Sequence, residues 1–214
     1  MNAIVLFGDV VDSRRDSPAA TAWLRSLADE LAGAYPPAAR LADFEFTQGD
    51  ELQGLLAPGQ DPLDAVVRAW LHPDALPMRW IAVSGRVDPG RGPATQRTGD
   101  AFLRARALAD DRTRRRDGLL MSSGDPATDE LLGDLAPLLG ELLRDLTSRQ
   151  RTVARLILVE GLRRAEAAER LKVSRATISV VTERAHLRSI ERLAARISKL
   201  FAGGAVAAAE GSAA

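Results

Sequence analysis

The spacing of apolar residues predicts alternating strands and helices over the first part of the chain. An unbroken apolar run at 3–8 predicts a buried strand, and alternation around Phe44 and Phe46 predicts another. Prolines after Ser17 and Asp61 predict two helix starts, because proline is favoured at the first helical position. The predicted order is a strand at 3–8, a helix at 17–35, strands around 44–46 and at 52–56, a helix at 61–71, a strand at 78–87, a helix at 99–110 and a strand at 119–122.

The order of these elements predicts the fold class. The order β-α-β-β-α-β-α-β predicts an α/β fold of the ferredoxin-like or palm type. The second and third strands form a hairpin whose tip, at 48–51, is acidic. In such a sheet we expect the first strand to lie beside this hairpin.

From residue 146 onward the pattern changes to three short helices. Thr147 and Gln150 predict a capping box, and Gly161 suits the left-handed position at a helix end. A second helix, rich in small residues, ends at a turn containing Lys172, after which Ser174 is the predicted N-cap of a third. This arrangement is typical of a helix-turn-helix, in which the last helix enters the major groove of DNA.

The chain therefore divides into four predicted parts. They are an α/β domain at 1–126, a linking helix at 127–145, a helix-turn-helix domain at 146–201 and a tail at 202–214. The tail consists almost entirely of Ala, Gly and Ser, which predicts disorder. Apolar residues between Ile190 and Phe201 predict that the recognition helix continues with one apolar stripe. That stripe packs either on its own domain or across a homodimer, and a homodimer is expected.

Charge favours DNA as the partner. The net charge of the 214 residues is zero, but residues 141–201 contain 14 Lys or Arg against 7 Asp or Glu. Neutralisation of phosphates supplies most of the sequence-independent affinity for DNA, so a basic terminal module is expected of a DNA-binding protein. A purely structural or protein-binding helical module is the alternative. The predicted DNA-binding residues are Arg163, Arg164, Lys172, Ser174, Arg175, Thr177, Ser179 and Arg184.

Composition excludes several other classes of protein. The chain has no cysteine, so it has neither disulfides nor thiolate metal sites. The apolar run at 3–7 is too short for a signal sequence, and no segment has the length of a membrane span. We therefore expect a cytoplasmic protein without membrane contact.

Two carboxylates in the α/β domain are candidates for chemistry. Asp9 directly follows the first predicted strand, and Asp50 lies at the hairpin tip, so the predicted topology brings them together. Paired carboxylates hold Mg²⁺ against nucleotide phosphates, which makes these two residues candidate metal ligands. Asp12, Gly49 and Glu51 are candidate ligand-binding neighbours. Ordinary turn chemistry of Gly-Asp pairs is the alternative.

The motifs Phe-Gly-Asp-Val-Val-Asp-Ser at 7–13 and Phe-Thr-Gln-Gly-Asp-Glu-Leu-Gln-Gly at 46–54 resemble the SatD family. That family pairs such an N-terminal domain with a C-terminal helix-turn-helix. The N-terminal domain resembles class III nucleotide cyclases, and this resemblance assigns metal binding to Asp9 and Asp50. The C-terminal part is similar to region four of sigma factors.

The resemblance to cyclases is incomplete in the helix at 99–110. Leu103 stands where the cyclases have an asparagine, and Ala107 stands where they have the arginine of the transition state. Apolar side chains cannot supply that electrostatic stabilisation. We therefore expect a transcriptional regulator whose degenerate cyclase-like domain senses a nucleotide or other small ligand, with Mg²⁺ as its only candidate cofactor. The alternatives are an active Mg²⁺-dependent nucleotidyl cyclase or nucleotidyltransferase, and an adaptor that binds an acidic protein.

Overall fold

A computed structural model describes residues 1–11, 17–46, 51–111 and 118–211. Over these ranges the protein has a mixed α/β structure with one five-stranded sheet and eight α-helices. The strands are β1 (Asn2–Val10), β2 (Arg40–Phe46), β3 (Glu51–Leu56), β4 (Met78–Arg86) and β5 (Leu119–Ser122). The helices are α1 (Ser17–Ala34), α2 (Pro62–Trp70), α3 (Asp100–Asp110), α4 (Pro126–Arg144), α5 (Ser148–Ala154), α6 (Arg164–Arg170), α7 (Arg175–Arg184) and α8 (Leu187–Gly211).

The sheet has the strand order β2-β3-β1-β4-β5. β1 is antiparallel to both β3 and β4, whereas β4 and β5 are parallel. The central position of β1 explains its unbroken apolar run, because both of its faces are covered. The prediction that the first strand lies beside the hairpin is confirmed by the pairing of β1 with β3.

The two faces of the sheet bury different sets of side chains. Ile4 and Leu6 of β1 face the larger core, which also contains residues of α1, α2 and α4. Val5 and Phe7 alternate with them and face a smaller core closed by α3. The larger core continues without interruption into the C-terminal helices, where it includes Ile178 and other buried residues.

The predicted linking helix corresponds to α4 and is a structural layer of its own. Leu132, Ala136 and Leu139 are fully buried, and α4 packs against both β5 and α8. The C-terminal helices are therefore joined to the α/β part by a packed helix and a shared core.

The helix-turn-helix region has the local features expected from its sequence. The capping box of Thr147 and Gln150 opens α5, which a π-helical turn at Arg155–Val159 extends. Gly161 then adopts a φ of 68°, in the left-handed region. Between α6 and α7, Lys172 also has a left-handed φ, of 52°.

The last helix differs from the prediction in two respects. α7, which the sequence predicts to continue to Phe201, ends at Arg184, and a turn with a φ of 50° at His186 separates it from α8. Of the predicted tail at 202–214, the residues from 202 to 211 belong to α8, and 212–214 lie outside the described residues. Residues 202–211 stay helical because Gly204 lets α8 approach Ser123 and Thr128 closely, so this part of the helix has a surface to pack on.

The apolar stripe of α8 packs within its own chain. Ile190, Ile197 and Phe201 are buried in the larger core, and α8 contacts α2, α4 and β4. The stripe is therefore not an open seam for a homodimer. The described part of the chain contains no helix that is both long and apolar enough to cross a bilayer.

Candidate functional sites

The N-terminus of α7 is held by its cap. Oγ of Ser174 accepts a hydrogen bond from the backbone N–H of Thr177 at 3.0 Å, and the two hydroxyl oxygens lie 2.9 Å apart. Both residues were predicted to contact DNA. In the structure their side chains bind each other and fix the first turn of α7.

One side of α7 is buried and the other is exposed. Ile178, Thr182 and Ala185 are buried, and the helix packs on α5 and α6. The opposite side exposes Val180, whose exposed fraction is 46%, together with Ser179. A helix held from one side in this way leaves its other side open to a partner.

Four predicted DNA-binding cations surround the exposed side of α7. Arg164 begins α6, Lys172 lies in the turn, and Arg175 and Arg184 lie at the two ends of α7. All four are exposed, and none forms an ion pair with the described part of the chain. The separation of Arg175 and Arg184 along α7 is about 14 Å at 1.5 Å per residue.

Arg163 has a different environment from the other cations. Its Nη2 lies 2.6 Å from Oε1 of Glu166, and its Nε also donates to that oxygen, at 3.0 Å. This pairing raises the pKa of Arg163 and lowers that of Glu166. The Arg163 side chain is 83% exposed, so a phosphate would have to share it with Glu166.

Three exposed residues of α7 are missing from the predicted site. Ala176, Val180 and Glu183 lie opposite the buried Ile178 and Thr182. Counting 100° per residue from Ile178 would have placed them at the centre of the outer side. Apolar groups there suit thymine methyls, and a carboxylate accepts from the cytosine amino group.

An ionic cluster docks the helix-turn-helix region on α1 and α2. Nη2 of Arg155 donates to Oε1 of Glu30 at 2.9 Å, and Nη1 of Arg68 lies 3.7 Å from the same oxygen. Nε2 of His72 lies 3.8 Å from the other Glu30 oxygen. Burial lowers the pKa of His72, and the Arg155 charge adds to this while Glu30 opposes it. No sequence motif predicts this cluster, because its members are far apart along the chain.

At the predicted metal site, the structure brings together Asp9 and Glu51. They are opposite each other in the β1–β3 pairing, and Arg79 of β4 is the partner of Asp9 on the other side. Oε1 of Glu51 accepts a hydrogen bond from the Gln53 amide. The described residues contain no group of three or more metal-ligating side chains. Asp12, Gly49 and Asp50 lie outside the described residues.

The two positions that depart from the cyclase pattern lie on the exposed side of α3. Leu103 is 68% exposed, and Ala107 is also exposed. Nη2 of the neighbouring Arg104 donates to the carbonyl of Ser84 at 2.6 Å, near the end of β4. Asp9 pairs with the start of β4, about 17 Å away along the strand at 3.3 Å per residue. Arg104 therefore does not replace the missing arginine beside Asp9.

No protein-family model and no characterised protein sequence matches this chain. What each site can do chemically follows from its own residues. The exposed side of α7 offers cations, hydroxyls and methyl groups, which suit phosphates and base edges. The edge formed by Asp9 and Glu51 offers carboxylate oxygens, which suit a hard cation.

Proposed function

We propose that the protein is a DNA-binding transcriptional regulator that reads DNA with α7. The observation that carries this proposal is the exposed side of α7, whose two ends carry cations that form no ion pair with the described residues. Arg175 and Arg184 contact phosphates on either side of the groove, and Arg164 and Lys172 add further backbone contacts. Ser179 and its neighbours on the outer side read base edges.

The α/β part is proposed to be a degenerate cyclase-like sensor. The order β2-β3-β1-β4 within the sheet agrees with a ferredoxin-like sandwich and supports this part of the proposal. The apolar, exposed Leu103 and Ala107 favour sensing without turnover, because they cannot stabilise phosphoryl charge. In this proposal Asp9 and Asp50 hold Mg²⁺ with a nucleotide, and Asp12, Gly49 and Glu51 surround it.

DNA titration at several salt concentrations tests the DNA-binding part. The DNA is the region upstream of the protein's own gene, and binding is measured by fluorescence anisotropy. Arg175→Ala and Arg184→Ala should each weaken binding about tenfold, which corresponds to roughly 1.4 kcal/mol. Each should also reduce, by about one, the steepness with which the logarithm of the binding constant falls with the logarithm of the salt concentration. The matched control is Arg91→Ala, an exposed arginine outside the C-terminal helices. Equal affinities of all three variants and the parent protein would contradict the proposal.

A second candidate function is a Mg²⁺-dependent nucleotidyl cyclase or nucleotidyltransferase coupled to DNA binding. The observation that favours it is the placement of Asp9 directly opposite Glu51. Incubation with nucleoside triphosphates and Mg²⁺ should then give pyrophosphate release that Asp9→Ala and Asp50→Ala both abolish. Release that persists in both variants, or absence of release in the parent protein, would exclude this function.

A further inference from the structure

A cavity of about 660 Å³ lies at the end of the sheet opposite Asp9. This volume is within the range of small-molecule sites. The last turns of α8 form an apolar wall that includes Phe201, Ala205 and Val206. The facing wall is built from the start of β1, the end of β4, the start of α3 and the loops after β3 and β5.

Arg104 is the half-buried cation of this cavity. Its Nη2 donates to the carbonyl of Ser84 at 2.6 Å, and its Nη1 lies 3.4 Å from Oγ of Ser122. Asp129 accepts from Oγ of Ser122 and from the backbone of Ser123, each at 2.6 Å. Within the described part of the chain, Arg104 forms no ion pair with Asp129 or with any other carboxylate. A partly desolvated guanidinium that has no carboxylate within ion-pair distance among the described residues favours binding of an anion.

Two glycines make room for this guanidinium. A Cβ at Gly85 would collide with Nη2 of Arg104, and one at Gly124 would lie 2.9 Å from Nη1. Gly124 has a φ of 92°, a backbone conformation that residues with a side chain rarely adopt. The Arg104 guanidinium therefore lies between the backbone at Gly85 and the backbone at Gly124, in the wall of the cavity.

We propose that this cavity binds a small organic anion with one negative charge and an apolar body. Arg104 pairs with the anionic group, and the body packs on Ala205 and Val206 of α8. The exposed charges of the lining are those of Asp100 and Glu210 against that of Arg86, a net of one negative charge. They therefore disfavour ligands with several negative charges, such as nucleoside triphosphates. The ligand class thus differs from that proposed for the Asp9 edge.

The position of the cavity gives its occupant a direct route to DNA binding. α8 forms one wall of the cavity and begins three residues after the last residue of α7. A ligand that prefers one position of α8 therefore shifts the population of positions available to α7. This step rests on the proposed DNA-binding function, whereas the ligand site itself does not.

Titration with 1-anilinonaphthalene-8-sulfonate tests the site, because this fluorescent probe is an aromatic monoanion. We expect saturable fluorescence with one bound probe per chain. Arg104→Met should weaken binding at least about tenfold, and Ala205→Phe, which fills the cavity, should abolish it. N-phenyl-1-naphthylamine, the uncharged counterpart of the probe, should bind equally to the parent protein and Arg104→Met.

Matched controls lie on the same two helices. Arg106 is exposed on α3 and Ala207 is exposed on α8, and neither lines the cavity. Arg106→Met and Ala207→Phe should keep the parent affinity within about twofold, and thermal unfolding should show that every variant is folded. Equal binding by Ala205→Phe and Ala207→Phe would overturn the site. Equal losses in Arg104→Met and Arg106→Met would overturn the assigned anion contact.

The DNA titration, repeated with and without saturating probe, separates the ligand site from its coupling. We expect the probe to change DNA affinity at least about threefold in the parent protein and not in Ala205→Phe. Probe binding at the cavity without a change in DNA affinity would overturn the coupling and leave the ligand site standing. A protein with no DNA affinity at any salt concentration would overturn the proposed function and the coupling together, while the probe titration would still decide the ligand site.

Discussion

Helices α7 and α8 are neighbours in the chain but have opposite environments. α7 has 10 residues and exposes one whole side, with cations at its ends. α8 has 25 residues, and its Ile190, Ile197 and Phe201 belong to the core shared with the sheet. The outer surface of the helix-turn-helix is thus open to a partner, while its base is part of the α/β core. A module attached in this way should unfold together with the sheet.

The largest expected effect comes from the shared core. Ile197→Ala should lower the free energy of unfolding by about 2–5 kcal/mol, because it leaves a cavity at a fully buried position. Urea unfolding followed by far-UV circular dichroism should show one transition, shifted to lower urea. Val206→Ala, on the same helix but 59% exposed, should change stability by less than about 0.5 kcal/mol. Two separate transitions in the parent protein would contradict the shared core.

The next largest effect should come from Glu30, which holds the helix-turn-helix region against α1 and α2. Glu30→Gln leaves Arg155 and Arg68 without their shared carboxylate, so we expect a loss of about 2 kcal/mol in unfolding free energy. The control is Asp29→Asn, the exposed neighbour on α1. Equal stabilities of the two variants would show that the ionic cluster does not hold the helix-turn-helix in place.

Two adjacent glycines of α8 distinguish its packed side from its exposed side. Gly203→Ala should stabilise the protein by up to about 1 kcal/mol, because nothing lies within 4 Å of the added methyl and alanine favours helix. Gly204→Ala should instead destabilise it by about 1 kcal/mol or more, because the methyl would collide with Ser123 and lie 2.8 Å from Thr128. Calorimetry measures both. If both variants change the free energy of unfolding in the same direction, α8 does not pack closely on Ser123 and Thr128.

The smallest expected effect is a pH dependence from His72. Burial lowers the pKa of His72 in the folded state below the ordinary value of 6.5. As the pH falls below 6.5, the unfolded chain therefore binds more protons than the folded protein does. The stabilising contribution of His72 is present above pH 6.5 and is lost as the pH falls through the folded-state pKa. His72→Asn should flatten the decline in unfolding free energy just below pH 6.5. Equal pH dependence of the unfolding free energy in the parent protein and His72→Asn would contradict this contribution.

The features that the sequence predicts correctly are local ones. The cap at Ser174, the capping box of Thr147 and Gln150, and the left-handed Gly161 each depend on a few consecutive residues. The strands follow from short apolar runs in the same way. The exposed cations of the helix-turn-helix region were also found, because charge is read directly from residue types.

The features that the sequence does not reveal depend on distant residues. Composition predicts disorder after residue 201, whereas residues 202–211 are helical and pack on Ser123 and Thr128. Glu30 meets Arg155 across 125 positions of the chain. The cavity around Arg104 combines two strand ends, two loops and two helices, and no motif marks it. Periodicity predicts that a helix has an apolar side but not which element covers that side.

The central claim, that α7 enters a DNA groove, is tested most directly by site-specific cleavage of DNA. The chain has no cysteine, so Ser179→Cys provides a single thiol on the outer side of α7 for an iron chelate. Ser26→Cys, exposed on α1, is the control. We predict cleavage at a few adjacent nucleotides of bound upstream DNA from position 179 and none from position 26. Bound DNA that is cleaved from neither position, or equally from both, would contradict the claim.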